Sequence, residues 1–318
     1  MFYNLSFLSF ILALFQVNIY SQILPTSFDI NDEKIFKASS GNPSSNSVTA
    51  IITVGDTVWL GTSRGVSVSF DRGENWTNFY GTAPFGEDGI TAIGYDKYNG
   101  ILWAATVTTV DAPGGGTIPK GTGLKYTTDN GLTWSAVPQP IDNPNDSTQV
   151  YGVNILRVLP VTVAEQNVTY DIAFTPNTVW ITSFASGTRK STDMGQTWQR
   201  VILPTDSLNS ISPTDTLTGI NLCISPAAGS FCGHEGWLNY RAFSVISTND
   251  STLYVGTADG INKSTDNGTS WVKFNHQNQV NSISGNFVVA LGHDSTQSDD
   301  EIWAATWRAQ GLGEFTAV

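Results

Sequence analysis

Four aspartates recur in one pattern, Ser/Thr-x-Asp-x-Gly-x-x-Trp: Asp71, Asp129, Asp193 and Asp266, in SFDRGENW, TTDNGLTW, STDMGQTW and STDNGTSW. A carboxylate can serve as general acid, nucleophile or metal ligand, so a recurring Asp invites a catalytic reading. The spacing points elsewhere. An Asp that opens a turn accepts hydrogen bonds from backbone N–H groups two residues on. Gly73, Gly131, Gly195 and Gly268 then supply a backbone angle that other residues resist. Trp76, Trp134, Trp198 and Trp271 bury apolar surface against their own unit and the next. Four such turns on separate units cannot converge on one substrate, so these twelve residues are read as structural. The NDS, NGT and DNG segments lack the carboxylate density of a calcium loop.

Outside the repeats, Asp88, Asp96 and Asp171 lie in or beside strand-like runs and are the weak catalytic candidates, since a glycosidase needs two carboxyl groups across a cleft. Glu235 stands next to His234 but has no second ligand or base near it in sequence. The 3 histidines, His234, His276 and His293, are far apart and show no metal-ligand spacing. The Gly114–Gly116 run lacks the strand-turn-helix setting of a phosphate loop. No metal and no cofactor is implied. Trp237 and Trp307 are the two of 10 tryptophans that neither close a repeat turn nor mark a second strand, which makes them candidate ligand contacts.

With 15 Lys+Arg against 27 Asp+Glu and a net charge of −12 over 318 residues, the chain lacks the basic footprint that nucleic acid requires. Two cysteines are too few for a disulfide scaffold. The apolar stretch from Leu5 to Val17, at about 13 residues, is shorter than the roughly 20 of a membrane span and fits a signal-peptide core, with cleavage expected after Ser21. No later stretch could span a bilayer as a helix. The mature chain is therefore expected to be secreted or periplasmic, where Cys223 and Cys232 could close one loop as a disulfide.

The repeat organises what remains. Each match follows three short alternating runs, such as VTAIITV, VWLGT and VSVSF, and precedes a Trp-led fourth run such as WVKFN. The expected fold is all-β: a β-propeller of four-stranded antiparallel blades, four complete and part of a fifth. The expected organisation is a signal peptide at 1–21, a leader at 22–47 and the propeller at 48–318. The last unit stops where another Asp turn should begin, so the propeller is expected to be truncated at its C-terminal end.

These four matches resemble the Asp-box, or BNR, repeat of sialidases, sortilin-type receptors, xyloglucanases and photosystem II assembly factors. The resemblance covers almost all of 48–318 and implies a propeller with each Asp-box between a blade's third and fourth strands. It implies no single activity, because the fold hosts many. The Phe/Tyr-Arg-Ile-Pro motif of sialidases is missing; Tyr240-Arg241-Ala242-Phe243 is the nearest approach and lies in the wrong blade.

Topology adds one inference. The long segments Val107–Gly123, Pro138–Asn167 and Pro204–Asn239 are second-to-third-strand or inter-blade connections, which share the face opposite the Asp-boxes. That loop-rich face is where a protein or carbohydrate partner is expected. The sequence favours an exported, non-enzymatic binding propeller. The alternatives are a secreted glycoside hydrolase, xyloglucanase-like rather than sialidase-like, and an assembly factor for a membrane complex. Oligomeric state is not legible.

Overall fold

Each alternating run of β-branched and aromatic residues becomes a strand, and Gly, Asp and Asn turns reverse the chain between them. The computed structural model describes residues 41–217, 223–225, 238–296 and 301–307, all within the unit Ala38–Val318. Blade one consists of β1 (Val48–Val54), β2 (Thr57–Thr62), β3 (Gly65–Ser69) and β4 (Thr77–Asn78). Blade two consists of β5 (Gly89–Asp96), β6 (Ile101–Asp111), β7 (Thr117–Thr127) and β8 (Ser135–Val137). The connection to blade three contains β9 (Thr148–Tyr151) and β10 (Asn154–Val158). Blade three is β11 (Thr169–Thr175), β12 (Thr178–Ser183), β13 (Gly187–Ser191) and β14 (Gln199–Arg200). The next connection holds β15 (Ser210–Ile211) and β16 (Cys223–Ile224). Blade four is β17 (Ala242–Ser247), β18 (Leu253–Thr257), β19 (Gly260–Ser264) and β20 (Trp271–Phe274). Blade five begins with β21 (Phe287–Asp294) and β22 (Glu301–Trp307). Strand order within the blades is sequential and antiparallel. No helix occurs among the described residues, so none there is long and apolar enough to cross a membrane.

The hydrophobic core is divided among the seams between blades. Trp59, Val66, Ile90 and Leu102 fill the first seam. Ala92, Trp103, Ile172 and Ile181 fill the second, and Trp180, Val245, Val255 and Trp271 the third. Each innermost strand carries a register shift near its start, at Thr49, Thr91, Tyr170, Phe243 and Val289, opposite a regular second strand. Such bulges bend a strand and raise its twist.

The inner strands are joined by polar contacts across each of four seams. Thr49 Oγ1 donates to Ile90 O at 2.8 Å, and Thr91 Oγ1 to Thr169 O at 2.6 Å. Ser244 Oγ donates to Asp171 Oδ2 at 2.9 Å and itself accepts Leu291 N–H at 3.0 Å.

The structure corrects the reading of the long segments. Val107–Gly123 is mostly a two-stranded arm, because β6 and β7 continue their pairing to Asp111 and Thr117. The connection between blades two and three also reaches an Asp-box turn, where Tyr151 Oη donates to Thr269 O at 2.8 Å. β16 pairs in parallel with β10, which pairs with β9, so two connections form one accessory sheet. β15 pairs with β20 and makes blade four five-stranded. Tyr151, Leu156, Val158, Ile211 and Ile224 from these connections are buried in the third seam's core. They cover strand edges that would otherwise be open to pairing.

Both connections are clamped at their bases by a buried asparagine. Asn167 Nδ2 donates to Pro140 O at 2.8 Å, and Asn239 Nδ2 to Pro204 O at 2.6 Å. Each also receives a hydroxyl from the end of a second strand: Ser183 to Asn167 Oδ1, and Thr257 to Asn239 Oδ1. Contacts between the leader and blade one start before Val48, where Ser44 N–H donates to Ser67 Oγ at 3.0 Å.

Candidate functional site

The Asp-box turns share one geometry. In each, a serine or threonine two residues before the Asp donates to Asp Oδ1 and accepts the N–H of the glycine four residues after itself. Ser191 does so for Asp193 and Gly195, at 2.8 and 2.8 Å. The Asp oxygens reach four residues on rather than the expected two. Asp71 accepts Asn75 N–H and Nδ2; Asp129 accepts Thr133 N–H and Oγ1; Asp193 accepts Thr197 N–H and Oγ1; Asp266 accepts Ser270 N–H and Oγ. The donated side-chain hydrogen bonds, Asn75 to Asp71 and Thr197 to Asp193, pull both carboxyls down to about 2. The turn tightens through two consecutive left-handed residues, such as Met194 at φ 59° and Gly195 at φ 78°.

In the second, third and fourth boxes the tryptophan and glycine pack back onto the preceding blade, not the next one. The Trp134 ring lies 4.7 Å from Phe85 and 6.2 Å from Trp59, edge to face. A Cβ on Gly268 would fall 2.5 Å from the Trp180 ring of blade three. The hydrogen bonds within each turn occupy every box carboxylate locally.

The three catalytic candidates separate. Asp96, at the end of β5, caps its own turn by accepting Tyr98 N–H and Asn99 N–H and Nδ2. Asp88 precedes the same strand and accepts Thr122 Oγ1 at 2.6 Å. Eight residues of strand place the two about 26 Å apart, well beyond the roughly 5–9.5 Å of a glycosidase pair. Asp171 alone lines the axial cavity of about 380 Å³, with Ile52, Ile93, Phe174, Val245 and His293. Burial pushes its carboxyl up to about 6, against the pull of donors from Val245 N, Ser244 and Ile172 N. No second carboxylate lines that cavity among the described residues. Nor is any group of three or more His, Cys, Asp and Glu there placed to hold a metal ion.

A different constellation was not anticipated from the sequence. The starting ends of the innermost strands, and the β12–β13 turn, lie on the face opposite the Asp-boxes. Here Tyr170, Phe184, Phe243, Phe287 and Trp307 form a connected aromatic row. Phe243 is 5.9 Å from Tyr170, 6.0 Å from Phe184 and 4.7 Å from Phe287, and Phe287 is 5.8 Å from Trp307. The Arg241 guanidinium stacks over Phe184 at 5.0 Å. Burial lowers the Arg241 pKa, with Asp206 opposing, and raises that of Tyr170. Tyr170 and Trp307 are 41% and 63% exposed, so the row presents its two ends to solvent. A signal for it exists in the repeat alignment: at the inner-strand bulge, blades one and two carry Thr49 and Thr91 where blades three and four carry Tyr170 and Phe243. Trp237, Cys232 and the Cys223 side chain, and with them the expected disulfide, lie outside the described residues.

Fold and turns together define the class: a β-propeller of BNR/Asp-box repeats. The BNR/Asp-box repeat family matches residues 125–136, the second box with its flanks. No curated protein matches the sequence. Among solved structures, an ancestral GH74 enzyme is similar at 14% identity and TM-score 0.46, over 79% of this chain and 26% of that one. The extracellular domain of BT4673 from B. thetaiotaomicron is similar at 14% identity and TM-score 0.48, over 82% of this chain and 26% of that one. YCF48 from Cyanidioschyzon merolae is similar at 15% identity and TM-score 0.31, over 80% and 79%. The chain thus spans about a quarter of the length of the first two.

Proposed function

We propose that this chain is an exported binding module that takes a carbohydrate on the face opposite its Asp-boxes, without hydrolysing it. The observation that carries the reading is the aromatic row from Tyr170 through Phe243 to Trp307. The exposed Tyr170 and Trp307 rings at the two ends of the row offer the apolar faces of sugars a stacking surface, and aromatic anchors concentrate binding energy. Arg241 beside Phe184 adds a donor with a fixed planar fork. Export rests on the signal-like stretch from Leu5 to Val17.

Hydrolysis is the second reading, and Asp171 in the axial cavity is the observation that favours it. Its oxygens accept from Ser244, Val245 and Ile172, which suits a structural bond better than proton transfer. Screening of plant, microbial and host glycans by calorimetry tests the proposal. Binding should weaken about tenfold (1.4 kcal/mol) in Tyr170→Ala and in Trp307→Ala. Unchanged affinity in both variants, or turnover of a reporter glycoside that disappears in Asp171→Asn, would overturn it.

A further inference from the structure

Among the described residues each fully buried cation has a partner. Arg189 pairs with Asp142, Lys273 with Asp259, and Lys125 donates to Thr106 Oγ1 and Thr122 O. Lys190 differs. It is half-buried in β13, and its Nζ stands 5.2 Å from the centre of the Trp180 ring. No hydrogen-bond acceptor and no ion-pair partner reaches that ammonium among the described residues. Asp266 attracts it from a distance, but its carboxylate is taken up by Ser264 and Ser270 of its own turn. Burial lowers the Lys190 pKa against that attraction. An ammonium that loses water without gaining an acceptor is destabilised, and a carboxylate restores what it lost.

The space for one lies beside it. Lys190 lines a pocket of about 230 Å³ bounded by blade three, β9 of the accessory sheet and the Asp-box turn of blade four. Register sets its position. Trp180, Lys190 and Gln199 pair side by side across β12, β13 and β14 and so share one face of the blade, the face on which Trp180 meets Gly268. Gln199 lines the same pocket, with Val150, Ile202 and Pro213 as its apolar wall. Two hydrogen bonds hold the walls apart at a fixed spacing: Gln149 Nε2 donates to Arg200 O at 3.0 Å, and Tyr151 Oη to Thr269 O at 2.8 Å. The first two seams do not repeat the arrangement, because Val68 and Tyr126 stand where blade three has Lys190. The residues that flank the undescribed segments meet other elements: Leu217 bonds to Asn154 and Cys223 pairs with Arg157, both in β10, and Leu238 bonds to Asp206.

We propose that this pocket binds the carboxylate of a small apolar acid, with the Lys190 ammonium as counter-charge, Gln199 as a second donor, and Val150, Ile202 and Pro213 around its body. The volume is below the roughly 300–1,000 Å³ of pockets for drug-sized ligands, which limits the occupant to a short aliphatic group. A free short-chain acid and the carboxy-terminal residue of a peptide present this same chemistry. The site shares no residue with the aromatic row and does not rest on the carbohydrate reading.

Calorimetric titration of the chain with isovalerate, with N-acetyl-glycylglycylleucine and with the same peptide amidated at its C-terminus tests the proposal. Either acid should bind, and amidation should weaken the peptide at least about tenfold, the loss expected of a hydrogen bond to a charged group. Tighter binding of the peptide would identify a chain terminus as the source, and tighter binding of isovalerate a free acid. Lys190→Gln, which keeps most of the stem over Trp180, should weaken the acids by a similar factor with unchanged circular dichroism. Lys263→Gln, at the same strand position of blade four and outside the pocket, should leave affinity as it is. The comparison of acid with amide uses the parent chain and needs no variant. Absence of binding by both acids up to about 10 mM, an amide that binds as well as its acid, or equal affinities in Lys190→Gln and the parent would each overturn the proposal.

Discussion

The Asp171 carboxylate accepts the Ser244 hydroxyl at 2.9 Å, across the seam between the third and fourth blades. Both residues follow the bulge of their inner strand, at the register position that blades one, two and five fill with Ala50, Ala92 and Ala290. A half-buried carboxylate where neighbours carry a methyl group resembles a catalytic feature until its partners are counted. Val245 N–H also donates to it at 2.9 Å, and Leu291 N–H donates to Ser244 Oγ, so three inner strands are tied through one carboxylate. It acts as a joint between blades.

That joint makes stability depend on pH. Burial raises the folded-state pKa of Asp171 to about 6, and Asp259, also buried, is raised to about 6 despite Lys273 beside it. A carboxyl whose folded value exceeds its unfolded value of about 4 holds its proton better in the native state. Its contribution is most favourable below about pH 4, declines as pH rises to about 6, and is level above that. Asp171→Asn should remove on the order of 2 kcal/mol of this decline. Thermal unfolding followed by circular dichroism from about pH 4 to 7 should give a shallower fall for Asp171→Asn than for the parent. Equal slopes would show that Asp171 is not held in this environment.

The Asp-box glycines make a sharper test of blade packing. Gly268 combines φ 76° with a Trp180 ring 2.5 Å from where its Cβ would lie. Gly268→Ala should therefore cost about 3 kcal/mol, from left-handed strain plus overpacking. Gly114, which lacks both features, should change stability by no more than about 0.5 kcal/mol on the same substitution. Denaturant midpoints measure both. A small effect at Gly268 would mean that the box does not seat on the preceding blade.

How far sequence alone carried depends on the range of the interaction. The boxes and their flanking strands are local, repeated patterns, so Asp193, Gly195 and Trp198 could be placed on one turn from the order of residues. The direction of packing was not local: nothing near Trp134 says that its partners are Trp59, Phe79 and Phe85 behind it. The same limit hid the accessory sheet, because Arg157 and Cys223 pair across two long connections whose polar residues resemble surface loop. The aromatic row escaped for a related reason. Tyr170, Phe243 and Phe287 each pass for an ordinary strand residue, and they become a surface only when bulges bring the starts of three blades together. Asp171 was noticed for its charge, while its partner lies 73 residues away.

The connection between blades two and three offers the final test, since a surface loop and a built-in part of the fold respond oppositely to loss of one side chain. Asp142 lies in that connection and is buried. Its Oδ1 pairs with Arg189 at 2.8 Å and its Oδ2 with Arg200 at 2.9 Å. Burial alone would raise its pKa, but the hydrogen bond and charge of Arg189, the Val161 N–H and Arg200 together hold it below the ordinary value. Its stabilisation is therefore complete above the unfolded carboxylate value of about 4 and is lost as pH falls through the lowered one. Arg189 is only 2% exposed. Asp142→Ala would strand that guanidinium without a counter-charge, which should cost about 3–5 kcal/mol at neutral pH. Cleavage within residues 138–167 by a limiting protease should accelerate in parallel, because the same carboxylate anchors the connection to β13 and β14. A loss of less than about 0.5 kcal/mol, as expected of an exposed loop, would show that the connection is an appendage.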